Sequence, residues 1–275
     1  MTIQPENFRT LTEWTRFLGE VEIPVLRKTA NDLTALRKLE SSPSARDAAL
    51  IIRRDPLMTV KLLRHLQQHK HKRQQQEIMQ VEQALIMLGV ENALNQVAAE
   101  PLVEHLLQSR SAALLHLLQL IHRAHTASGY AFEWAVRLHD TRFEEIRAAA
   151  LLHDITEMLL RCFVPDKMLE IDKLQQQDKA LRSTAAQKTV LGFSIQDLQT
   201  TLIKTWGLPE LLIMLMDKEQ AAHPRVRNVV LAVNLARHSA QGWDDAALPD
   251  DYTAISELLR ITPAEVKTLV HNTHG

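Results

Sequence analysis

A single cysteine, Cys162, stands in 275 residues. That excludes an intrachain disulfide framework and fits a reducing compartment. Glycines number seven, aromatic residues make up 4% of the chain, and β-branched residues are scattered rather than clustered. These shortages count against sheet and favour helix. Charge of one sign is missing too. The formal net charge is −1, so no global field draws the chain to nucleic acid or to an anionic membrane. Apolar stretches are interrupted by charge well short of the ~20 residues a membrane span needs. No basic segment followed by an apolar run opens the sequence, and the protein is expected to be cytoplasmic. Hydrophobic residues at 45% and charged residues at 24% are ordinary for a globular protein.

What is present is helical punctuation. A helix is expected from Phe8 to Leu18, stopping at Gly19, and a second opened by Pro24 and running to about Leu39. Ser44 with Asp47 three residues later reads as a helix cap. Asp55-Pro56 reads as an N-cap and first-turn proline for a helix to about Gln67. The polar run 67–76 reads as a loop. Helices follow from Val81 to Leu88, ending at Gly89, and from Val90 toward His105. Leu114, Leu117, Ile121, Ala124, Ala131, Ala135 and Leu138 recur at steps of three, four or seven, which predicts a long helix over 112–138. Arg142 to Phe163 reads as one strong helix, apolar over most of its girth and therefore central. Pro165, Pro209, Pro224 and Pro263 mark later helix starts.

One dipeptide carries chemistry. Imidazole and carboxylate are suitable ligands for Zn, Mn or Fe, and on a helix the neighbours His153 and Asp154 would point ~100° apart, able to reach one ion. On spacing alone, hydrogen bonds to neighbouring helices explain such a pair better. His122 and His125, on the flank of the preceding helix, could face it. His139-Asp140 repeats the dipeptide at a helix end. There it reads as a histidine complementing the helix dipole and an aspartate capping the next helix.

The segments around these residues resemble the bacterial HDOD family, signalling-associated relatives of the HD-type phosphohydrolases. Ile23-Pro24-Val25-Leu26 is similar to the family's Leu-Pro entry. The stretch from Ala48 through Asp55-Pro56 to Arg64 is similar to its Asp-Pro core, and Val81 to Gly89 to its Ala-Ile-x-x-Leu-Gly helix. Leu151-Leu152-His153-Asp154-Ile155 resembles its Leu-Leu-His-Asp-Ile-Gly signature. Leu191-Gly192-Phe193 and Trp206-Gly207-Leu208-Pro209 follow at the family spacing. The resemblance covers roughly 23–270 and implies an all-α fold, a multi-helical HD-like bundle with an N-terminal helical subdomain. The expected division is an N-terminal helix over 1–22, a helical subdomain over 23–108, and an HD-like subdomain over 109–275.

Where family members often carry histidine, this sequence has Ile195, Glu219 and Gln220, and Asn234 stands near the place of a late aspartate. A hydrolytic metal centre keeps three or more protein ligands plus an open position. The resemblance therefore implies a degenerate pocket of His122, His125, His153, Asp154 and Asn234, with no catalytic residue, no bound metal and no cofactor. It implies a protein partner, with room for a small-molecule ligand, and no membrane or nucleic-acid role. Two alternatives stand beside this reading. One is a residual phosphohydrolase drawing ligands from Asp217 or His223. The other is a weak nucleic-acid or anion patch of Lys61, Arg64, Lys70, Lys72 and Arg73, although no aromatic residue interleaves it for base stacking and charge runs are usually solvated loops. His65 and His69, four residues apart, are a weaker metal candidate, and Cys162 reads as an inert core thiol.

Overall fold

A computed structural model describes residues 8–39, 42–69, 77–178 and 180–272. Among the described residues there is no strand, and an isolated parallel bridge joins Val25 to Leu102. The expectation of an all-α fold holds. Two compact units are interleaved along the chain: unit 1 is Met1–Ile121 with Asp154–Pro209, and unit 2 is His122–His153 with Glu210–Gly275. This differs from the expected linear division at 108/109. A helix of 27 residues, Ser111–Arg137, runs through the first crossing point and leaves no linker for a sequence reading to find.

Unit 1 contains α1 (Leu11–Glu20), α2 (Arg27–Arg37), α3 (Ala45–Ile52), α4 (Pro56–Gln68), α5 (Val81–Leu88), α6 (Val90–Gln96) and α7 (Val103–Leu106). The first part of α8 (Ser111–Arg137) follows, then α10 (Ile155–Phe163), α11 (Pro165–Gln177), α12 (Ser183–Leu191) and α13 (Ile195–Thr205). The capping signals act as read. The Ser44 hydroxyl accepts the Asp47 N–H, and Asp55 accepts those of Leu57 and Met58, with Pro56 in the first turn. Burial occupies nearly the whole girth of α4 and α10, which pack together at the centre of the unit. Leu57, Met58, Leu63, Met158, Leu159 and Leu160 are fully buried, each stabilising by roughly 1.5–3 kcal/mol.

Unit 2 is built around α15 (Pro224–His238), which packs against α9 (Phe143–Leu152), α14 (Glu210–Leu215) and α16 (Leu248–Leu259); α17 (Pro263–Asn272) packs on α16. The second half of α8 supplies Tyr130, Ala131, Trp134 and Ala135, all fully buried.

Four expected helices differ. Gly19 does not stop α1, which runs from Leu11 to Glu20. Pro24 does not open α2, because Val25 is drawn into extended pairing: its N–H donates to the Pro101 carbonyl, and its own carbonyl accepts from Val103. The helix expected over 90–105 is two short ones, α6 and α7, on either side of Pro101, whose ring removes a backbone donor. The single helix expected over 142–163 is interrupted at His153-Asp154, between α9 and α10.

Candidate functional site

The interruption changes the geometry at the dipeptide. His153 closes α9 with φ −53° and ψ −40°, and Asp154 leads into α10 with φ −104° and ψ 23°. The 100° argument for neighbours on one helix therefore does not apply. Asp is a poor interior helix residue that favours such boundaries, and the break lets α9 and α10 bury their apolar faces in different units. His153 and Asp154 are both half-buried. His122 is exposed and His125 half-buried in the middle of α8, and Asn234 is half-buried in α15.

The positions where the resemblance places further imidazoles are occupied otherwise. Ile195 is the first residue of α13, 8% exposed, with its N–H donated to Gln187 Oε1 at 3.0 Å. Glu219 and Gln220 lie exposed on a 3-10 turn capped by Asp217, whose carboxylate accepts the Glu219 N–H and the Gln220 side-chain amide, each at 3.1 Å. The His223 Nδ1 accepts the Arg225 N–H at 3.2 Å and caps α15. Both alternative ligands are thus employed as helix caps. Among the described residues, no three His, Cys, Asp or Glu side chains gather closely enough to hold a metal ion.

The basic patch is corrected at two of its members. Lys61 and Arg64 are 3% and 7% exposed and hold loops rather than facing solvent. Lys61 Nζ donates to the carbonyls of Ile23 at 3.1 Å and Glu100 at 2.5 Å, and meets Glu22 Oε1 at 2.6 Å. Burial pulls its pKa down against the opposing pull of Glu22. Arg64 Nη1 donates to the Val21 carbonyl at 2.9 Å, and its guanidinium lies 5.8 Å from the Trp206 ring centroid. Long cationic stems on a central helix can reach carbonyl groups that no N–H serves, which a reading of charge alone does not reveal. Lys70, Lys72 and Arg73 lie outside the described residues. His65 and His69 stack with ring centroids 4.0 Å apart, and burial, then the charge of His69, lowers the His65 pKa. Cys162 is 5% exposed, and burial pushes its thiol well above the usual range, in keeping with a core role.

Sequence reasoning missed a cluster in unit 2. The C-terminal end of α8, the first turn of α15 and the last turn of α16 enclose a cleft of about 810 Å³. Arg137, Arg225, Arg227 and Arg260 line it, with Asp140 and Glu257. Arg225 Nε meets Asp140 Oδ2 at 2.7 Å, and Arg227 pairs with Glu257. Burial would raise the Asp140 pKa, but the Arg225 guanidinium and the Arg142 amide hold it below the usual carboxylate range. Among the described residues, Arg137 and Arg260 pair with no carboxylate, and both are exposed. Asn228, 1% exposed, lines the cleft; its Nδ2 donates to the Ala131 carbonyl at 3.2 Å and its Oδ1 has no partner. The arginines are separated by up to 123 positions in the sequence (137 to 260), so only the fold could assemble them.

Comparison with known proteins bears on fold and family. The MmoQ response regulator of Methylococcus capsulatus str. Bath is similar with a TM-score of 0.66 at 17% identity, over 90% of this chain and 98% of that one. A virulence factor of Campylobacter jejuni subsp. jejuni gives 0.63 at 20%, over 94% and 92%. An HDOD domain protein of unknown function from Geobacter sulfurreducens gives 0.51 at 16%, over 96% and 94%. No curated protein matches the sequence. At these identities the likeness is one of fold. The HDOD domain family model matches residues 23–222, well over half of the chain, and the protein belongs to the HDOD family.

Proposed function

We propose that this chain is a non-enzymatic regulatory module that acts by binding a protein partner, its HD-like pocket no longer capable of metal chemistry. The observation that carries this is Ile195. At a position where the resemblance places imidazole there is a buried alkyl side chain with nothing to coordinate through. Asn234 offers a neutral amide where a carboxylate would bind metal better, and Gln220 is hydrogen-bonded to Asp217. That donor set does not fit a hydrolytic centre, which needs three or more protein ligands and a site for water. The similarity to a response regulator and a virulence factor agrees with a regulatory role. A partner surface is consistent with Leu115 and Leu118, one turn apart on α8 and 54% and 42% exposed.

The test is elemental analysis of untagged protein together with a phosphoester hydrolysis assay. The reading expects sub-stoichiometric metal and no turnover. Stoichiometric Mn, Fe or Zn with hydrolysis that disappears in His153→Ala would reject it.

A further inference from the structure

Gly129 lies inside α8, two turns from its C-terminal end, and is exposed. Glycine is the poorest helix former after proline, because a helix takes more conformational freedom from it than from other residues. Nothing within the chain calls for it here. Its φ is not in the left-handed region, and a Cβ at this position would meet no described atom within 4 Å. Gly192 makes the contrast: its φ is 89°, and a Cβ there would stand 3.1 Å from the Arg9 carbonyl. The bare backbone at Gly129 is therefore accounted for by something outside the chain that approaches α8 closely.

The rest of that face says what. His122 and Val136 stand seven residues before and seven after Gly129, and both are exposed, Val136 at 46%. A seven-residue step returns to nearly the same side of a helix. The three residues thus form one line within unit 2, with the notch at its midpoint. Thr126 and Glu133 flank the line on one side, His125 and Phe132 on the other, all half-buried. A two-fold axis through Gly129 sets this face against itself with the helices antiparallel. Glycine then meets glycine at the closest approach, and each His122 meets Val136 of the second copy. Thr126 falls opposite Glu133, and His125 opposite Phe132, so no two like charges are opposed along the seam. An unrelated helix would need its own small residue at the crossing and a matching pattern around it. A copy has both by symmetry.

We propose that this face of α8 is a homodimer seam, two copies of the chain packing antiparallel across Gly129. It is a self-contact, distinct from the partner surface and the metal test of the proposed function. Sedimentation equilibrium of the full chain across the micromolar range is expected to show monomer and dimer in reversible exchange. Gly129→Leu places a side chain where its own fold leaves open space. With helix content unchanged by circular dichroism, it is expected to weaken dimerisation about 10-fold or more, as overpacking of a close contact implies. Crosslinking tests the register. His122→Cys and Val136→Cys chains, mixed under mild oxidation, are expected to join to each other and not to themselves. In the antiparallel pair each new cysteine would lie about 21 Å along the helices from its own counterpart, too far for a disulfide, and the native Cys162 is buried. Dimerisation that Gly129→Leu leaves intact would overturn the proposal. So would a parent chain that stays monomeric or forms a larger assembly, or cysteines that couple like with like.

Discussion

Arg161 and Asp172 meet as a two-bond fork, Nη1 donating to Oδ2 at 2.8 Å and Nη2 to Oδ1 at 2.9 Å, and so tie α10 to α11. Glu157 accepts from the same guanidinium at 2.8 Å, and His116 Nδ1 lies 2.7 Å from Asp172 Oδ2. Burial would raise the Asp172 pKa, but Arg161 and then His116 outweigh it and hold the carboxyl below its ordinary 3.8. A depressed carboxylate contributes stability that is fully present above its unfolded-state value. That contribution is lost as the pH falls from 3.8 down through the folded-state pKa. Asp172→Asn should therefore cost about 3 kcal/mol at neutral pH, at the low end for a buried pair because Glu157 still partners Arg161. Urea unfolding followed into acid should show the gap from the parent narrowing below that window. A gap independent of pH would mean that packing, not the charge, is what Asp172 supplies.

Lys61 leads to a second expectation. Its ammonium serves two carbonyls and a carboxylate from a nearly inaccessible position. Truncation to alanine strips buried acceptors of their donor, and each such loss costs about 1–3 kcal/mol. Lys61→Ala should lower stability by about 3 kcal/mol in total, measured by chemical denaturation. Retention on a heparin or DNA column should not change. Weakened retention with stability intact would return Lys61 to a surface role.

How legible was this molecule in its sequence? Helix content followed from composition, and the caps at Ser44, Asp55 and Pro56 could be read directly because capping is local chemistry. The break at His153-Asp154 could not, since no glycine or proline marks it. It arises because α9 and α10 serve different cores, a fact of tertiary structure. The burial of Lys61 and Arg64 is hidden from the sequence for the same kind of reason: charge reads as surface until a fold supplies carbonyls for it. Motif spacing under the resemblance is what singles out Ile195 and Gln220. The cleft has no such signal. Its arginines come from the ends of three helices far apart in the chain, and Asn228 sits in an apolar stretch of α15 with no local sign of an unmet hydrogen bond.

The two left-handed residues allow backbone strain to be separated from what their side chains contribute to stability. At φ 55° and 57°, His139 and Arg260 sit where a side chain other than glycine costs roughly 1–2 kcal/mol. His139→Gly and Arg260→Gly should each raise stability, by about 1 kcal/mol once the greater freedom of glycine in the unfolded chain is deducted. Arg260→Ala keeps the strained backbone and should give no such gain. Arg137→Gly, at the last residue of the ordinary helix α8, should instead lose about 0.5–1 kcal/mol. Guanidinium chloride unfolding with unchanged m-values would check all four variants. Gains confined to positions 139 and 260 would show that the strain is real and that the fold does not need these side chains. A loss at both would mean that the imidazole and the guanidinium hold unit 2 together, and the cleft would then be structural.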